Sequence, residues 1–208
     1  IWRLAIESPK AYSINIIYDN FFLPKGGKFF VYNKNKDYVI GAFTEKNNKP
    51  DGVFATQPVP GSHIVLEYFE PVEVSGKGKI RLLKVVHAYR NIFGYKNIRD
   101  YGSSGSCNNN VNCPEGLSWQ DHKRAVAMIL TSGGSRICTG ALVNNVRQDQ
   151  KQYFLTADHC LGGNNNWIFM FNYESPGCAN QDGPTNQTVQ GSILRSNLGV
   201  DGKGSFEE

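Results

Sequence analysis

The residues most able to do chemistry lie together in Tyr153-Phe154-Leu155-Thr156-Ala157-Asp158-His159-Cys160. An aromatic and apolar run reads as a buried strand, and it ends in a polar turn carrying one imidazole with a thiol beside it. Upstream, Ile137-Cys138-Thr139-Gly140-Ala141-Leu142-Val143 is a second short apolar segment with a cysteine of its own. A bridge from Cys138 to Cys160 would pin the turn that holds His159 to a neighbouring strand. A general base must be held in just such a way to take a proton in a fixed geometry. The chain has five cysteines, an odd number. Any four can pair in three ways, and the sequence does not choose among them. The same residue types could ligate zinc, but there is no Cys-x-x-Cys pair, and adjacent His159 and Cys160 are poorly placed to share an ion.

The elements that must position these groups read as strands throughout. Tyr12, Ile14, Ile16 and Tyr18 alternate with Ser13 and Asn15, the period-two pattern of a half-buried strand. Phe21-Phe22-Leu23, a Pro24-Lys25-Gly26-Gly27 turn and Phe29 to Tyr32 predict a hairpin. Short apolar runs at 38–40, 53–55, 63–66 and 80–85 alternate with Asn/Pro/Gly-rich turns. That spacing predicts an N-terminal jelly-roll-like β-sandwich over 1–95. His63 and His87 each sit inside an apolar strand and read as ordinary strand histidines rather than metal ligands. Residues 96–106 are polar and rich in Gly and Ser, a linker, with Lys96 and Arg99 as plausible cleavage points. From 107 to 208, further strands are expected at 125–130, around Cys138, into His159, at 167–171 and at 189–194, about six in all. No stretch has a convincing helical period.

Ser104-Gly105-Ser106-Cys107-Asn108…Cys113-Pro114-Glu115-Gly116, then Cys138-Thr139-Gly140-Ala141-Leu142-Val143 and Phe154-Leu155-Thr156-Ala157-Asp158-His159-Cys160, resemble the catalytic-histidine half of chymotrypsin-fold serine proteases, in the bacterial lysyl endopeptidase branch. The resemblance spans roughly residues 100 to 195. It implies an all-β chain whose residues 107–208 form the first barrel of a trypsin-like protease domain, the second barrel missing. It implies bridges Cys138–Cys160 and Cys113–Cys178, with Cys107 left unpaired because its usual partner lies in the second barrel. His159 becomes the general base and Asp201 the candidate triad acid, although the Gly-Lys-Gly-Ser text after Asp201 lacks the apolar strand expected there. Residues 1–95 become a propeptide-like region. Asp158 stands where the family usually has Ala or His.

No Gly-Asp-Ser-Gly nucleophile segment occurs in the 208 residues. Gly102-Ser103-Ser104-Gly105-Ser106 follows no strand and opens no helix, so it is not a nucleophile elbow. The expectation is a protease cut short and inactive by itself. The alternative is a secreted, non-catalytic binding or inhibitory protein derived from a protease.

Composition bounds the remaining classes. At 40% apolar, 19% charged and a net charge of +4, the chain is globular, with its lysines scattered. That argues against nucleic acid as a partner. No apolar run approaches the roughly 20 residues needed to cross a bilayer, so no membrane span is expected. No cofactor motif is present. The chain opens at Ile1 without a basic-then-apolar leader, yet clustered cysteines point to an oxidising compartment and a secreted protein. Asn186-Gln187-Thr188 is a glycosylation sequon. The expected partner is a protein or peptide substrate; oligomeric state is left open.

Overall fold

A computed structural model describes residues 1–89, 105, 107–161, 166–196 and the backbone of 204–207. The chain divides into two compact units, one of Ile1–Gly94 with Ser132–Gly134 and one of Tyr95–Thr131 with Ser135–Glu208. Both are antiparallel β structure, with short 3-10 turns as the only helices among the described residues.

The first unit has eight strands: β1 (Trp2–Glu7), β2 (Ser13–Phe22), β3 (Lys28–Asn33), β4 (Val39–Phe43), β5 (Phe54–Ala55), β6 (Val59–Pro60), β7 (His63–Phe69) and β8 (Lys79–Ala88). One sheet runs β1-β7-β3-β4. In the other, β2 is central, with β8 along one edge and β5 and β6 in turn along the other. Where β5 gives way to β6, the ladder is kept closed by Thr56. Its N–H donates to the Ile16 carbonyl at 2.9 Å, and its Oγ1 accepts from the Ile16 N–H at 3.0 Å. Such breaks need a substitute partner because buried backbone groups are costly to leave unpaired.

The two sheets share one core, built around Tyr18, Phe21, Phe29 and Phe54. Phe21 stacks on Phe54 with ring centroids 4.2 Å apart and meets Phe29 edge-on at 5.6 Å. These are the geometries aromatic quadrupoles favour.

Two local expectations are corrected. The Pro24–Gly27 turn exists, with the Gly27 N–H donating to the Pro24 carbonyl at 2.9 Å, but it does not close a hairpin. β2 and β3 belong to different sheets, so the turn carries the chain across the core and lets Phe21 and Phe29 face each other through it. Nor is β2 half-wet. Ser13 and Asn15 are buried along with Ile14, Ile16 and Tyr18. Asn15 Nδ2 donates to the carbonyl of Ser132, in the short 132–134 segment that groups with this unit, so the second face of β2 is covered there as well.

The second unit has seven strands: β9 (Val126–Leu130), β10 (Arg136–Val143), β11 (Tyr153–Ala157), β12 (Ile168–Phe171), β13 (Thr188–Gln190), β14 (Leu194–Ser196) and β15 (Gly204–Glu207). They form a single sheet in the order β13-β12-β9-β10-β11-β15-β14. Three residues, Gly191 to Ile193, join β13 at one edge to β14 at the other. A flat seven-stranded sheet would be roughly 29 Å wide at about 4.8 Å per strand. Four residue steps reach about 14 Å at most. The sheet therefore curls until its edges approach. Its core gathers Ala127, Ile129, Phe154, Cys160, Trp167 and Phe169, with Phe154 and Phe169 edge-to-face at 4.8 Å.

The glycine-rich tail differs from expectation. Gly204–Glu207, read as lacking a strand, pairs with β11 through Ala157↔Gly204 and Thr156↔Ser205. The open edge of β11 supplies the hydrogen bonds, and backbone pairing does not require apolar side chains. The 96–106 linker lies outside the described residues except for Gly105.

Candidate active site

His159 is placed by β10 and β11. β11 sends Phe154 and Thr156 into the core and leaves Tyr153, Leu155 and Ala157 partly covered. It pairs with β10 through Ala141↔Leu155 and Leu142↔Phe154. Two small residues set how tightly this pair closes. At Gly140, a Cβ would fall on the edge of the Phe154 ring and on the Leu155 carbonyl oxygen, so only hydrogen fits. Buried Thr156 donates its hydroxyl to the Thr139 carbonyl at 3.1 Å, tying the strand end across to β10. The glycine of Cys-Thr-Gly-Ala-Leu-Val and the threonine of Leu-Thr-Ala-Asp-His-Cys thus have steric and hydrogen-bonding reasons to be what they are.

β11 ends at Ala157, and Asp158–Cys160 form one 3-10 turn closed by the Leu161 N–H donating to the Asp158 carbonyl at 2.9 Å. Cys160 turns inward, 5% exposed, and is disulfide-bonded to Cys138 with Cα atoms 6.1 Å apart. Between these two fixed points His159 is exposed. The nearest ring nitrogen of His159 and the two sulfurs all lie within 4.8 Å of one another, so the imidazole sits against the bridge. A bridged cysteine pair offers no thiolate, so this trio is a clamp for the ring and not a metal site. Asp158 presents a buried carboxylate oxygen, Oδ1, with no hydrogen-bond partner.

The other site residues separate. Asp201 lies outside the described residues; β15, which starts three positions later, pairs with the strand that ends two residues before His159. Cys113 is bonded to Cys178 across 65 residues. Cys107 is free and exposed. Asn186 is exposed in the loop before β13.

A polar network around Cys113–Cys178 had no signal in the sequence, because it joins two segments, 110–123 and 174–178, across separations of 51 to 68 residues. Lys123 Nζ donates to Asn112 Oδ1 at 2.7 Å and to Glu174 Oε1 at 2.6 Å. Asn112 Nδ2 donates to the Ser175 carbonyl at 2.7 Å and Asn110 Nδ2 to the Cys178 carbonyl at 2.8 Å. Lys123 and Glu174 are both largely shielded from water, where such pairs hold their geometry. In the first unit His87 is hydrogen-bonded. Its Nδ1 shares a hydrogen with Ser8 Oγ at 2.8 Å, while His63 faces Glu7 across the β1–β7 ladder.

Fold and site together define an all-β protein with a solvent-facing histidine clamped at a strand end by a disulfide. Residues 101–204 match the family described as lysyl endopeptidase, C-terminal domain, and the chain belongs to that family. It is also similar to the lysyl endopeptidase of Pseudomonas aeruginosa strain PAO1. The two are 37% identical over 75 residues, which cover 33% of this chain and 16% of that relative. The chain thus spans under a fifth of the length of the curated relative it matches.

Proposed function

We propose that residues 107–208 form the histidine-bearing first barrel of a chymotrypsin-fold serine endopeptidase of lysyl endopeptidase type. In that reading His159 takes the proton of a serine hydroxyl supplied from a second barrel, and Asp201 fixes its tautomer. One observation carries the reading. An exposed imidazole stands at the end of a buried strand, braced by a disulfide, a Thr156–Thr139 hydrogen bond and a glycine-tight strand pair. Exposure leaves the ring free to meet a hydroxyl, and the brace limits where it meets it. The curled sheet of seven strands is consistent with a barrel. β15 supports Asp201, because it begins at Gly204 opposite Ala157, two residues before His159 and three after Asp201 in sequence. Residues 1–95 are read as a jelly-roll-like propeptide sandwich, and two disulfides support secretion.

The 208 residues by themselves are expected to hydrolyse nothing, because they contain no Gly-Asp-Ser-Gly segment. The second reading is a secreted non-catalytic binding or inhibitory protein derived from a protease. A graft separates the two. Residues 101–204 replace the matching segment of the Pseudomonas lysyl endopeptidase, and cleavage of a lysyl peptide is assayed. The endopeptidase reading predicts turnover. A graft that forms both disulfides and still cleaves nothing overturns it.

A further inference from the structure

A pocket of about 330 Å³ opens on the inner face of the second unit's curled sheet. It lies at the far end of the β10–β11 ladder from His159. Leu142, opposite Phe154 in that ladder, and Gln152, just before β11, line it, whereas Cys138 and His159 belong to the other end. The floor is apolar. Phe154 and Phe169 are core residues whose rings meet edge-to-face, and Leu142 and Phe171 pack against the same core. Val189, 57% exposed, lines the outer part.

The backbone around the pocket is braced on three sides. Phe171 N–H donates to the Gln187 carbonyl at 2.9 Å, and the neighbouring Asn172 Nδ2 donates to Gln187 Oε1. Gly191 N–H donates to the Trp167 carbonyl at 2.7 Å. The His122–Ala125 turn is closed by Val126 N–H donating to the Lys123 carbonyl, and Lys123 Nζ is itself held by Asn112 and Glu174. That turn carries Arg124. Among the described residues, Arg124 is the one charged side chain in the lining, and no carboxylate pairs with it.

A molecule that fills this space must lay apolar surface on the floor, and it has room to bring one negative charge to the rim. A guanidinium matches a carboxylate through paired N–H donors. Three phenyl rings in the lining favour an aromatic body over an alkyl one, because ring edges attract ring faces. The volume lies at the small end of ligand sites, enough for one ring and a short acid tail. We propose that the pocket binds a small free aromatic carboxylate, its ring against Phe154 and Phe169 and its carboxylate on Arg124. The apolar floor supplies most of the affinity, and Arg124 the preference for an acid. Because the surrounding backbone is braced, little ordering entropy is lost on binding. Nothing in this binding requires His159.

The test uses the whole chain. 3-Phenylpropionate, its neutral amide 3-phenylpropionamide, and acetate are titrated separately by calorimetry. The expected result is saturable binding of 3-phenylpropionate at a single site per chain and no saturation by acetate. The amide should bind about fivefold more weakly than the acid, the effect of one charge-assisted contact at an exposed rim. Arg124→Gln should bring the acid down to the affinity of the amide and leave the amide unchanged. Val189→Trp, at an exposed position where folding is not at stake, should fill the pocket and abolish binding of both. The proposal is overturned if 3-phenylpropionate does not saturate, if acid and amide bind alike, or if neither substitution changes the affinity for the acid. Tighter binding of N-acetyl-L-phenylalanine than of 3-phenylpropionate would also overturn it, in favour of the carboxyl terminus of a peptide.

Discussion

Removing the clamp beside His159 should unfold one unit of this chain and spare the other. The Cys138–Cys160 bridge closes a loop of sequence separation 22, and constraining such a loop contributes about 3.4 kcal/mol in the chain-entropy account. The Cys113–Cys178 bridge closes 65 residues and should contribute about 4.3 kcal/mol on the same basis. Cys138→Ala with Cys160→Ala avoids burying a hydroxyl, which matters because Cys160 belongs to the core. With a urea m-value of about 1.5 kcal/mol per molar, the second unit's midpoint should fall by about 2.3 M. Fluorescence of buried Trp167, read in a Trp2→Phe background, follows that unit. Hydrogen exchange of the β2 amides follows the first unit, whose residues 1–94 contain no cysteine. A midpoint shift below about 0.7 M, or an equal loss of protection in β2, would refute the reasoning.

Three further outcomes follow from single side chains. Gly140→Ala should cost about 2–3 kcal/mol in the second unit, since the added methyl meets a ring and a backbone oxygen at once; thermal melts check it. Asp158→Ala should raise the same unit's stability by about 1 kcal/mol by deleting a buried oxygen that nothing satisfies, and an unchanged or lower midpoint would show that the carboxylate has a partner. Tyr18 is buried, and burial alone raises its phenol well above the ordinary value. The folded state thus keeps it protonated while the unfolded chain ionises. Its contribution is complete below about pH 10 and is lost as pH climbs beyond. Tyr18→Phe should therefore flatten, without abolishing, the alkaline fall in first-unit stability, because burial also raises Tyr32 and Tyr68.

The strands were largely legible because alternating or continuous apolar runs bounded by turn residues leave little else to form. β2, β7, β8, β9 and β11 lie where those runs lie. Partnership was not. Pro24–Gly27 has the chemistry of a tight turn, but local residues do not say whether the next strand pairs with the last or crosses to the other sheet. β15 was missed because its pairing comes from the edge of β11, not from its own side chains. Around His159 the motif marked the histidine and its neighbouring cysteine, yet the packing of Gly140 and Thr156 depends on Phe154, Leu155 and Thr139 arriving from the adjacent strand.

The most direct measurement is kinetic. In the graft of residues 101–204 into the Pseudomonas lysyl endopeptidase, His159→Ala should lower kcat for a lysyl peptide by about 10⁴-fold or more with KM little changed, as loss of a triad base does. A loss of less than tenfold, in a graft whose Cys138–Cys160 bridge is intact, would contradict the assignment of His159 as the base.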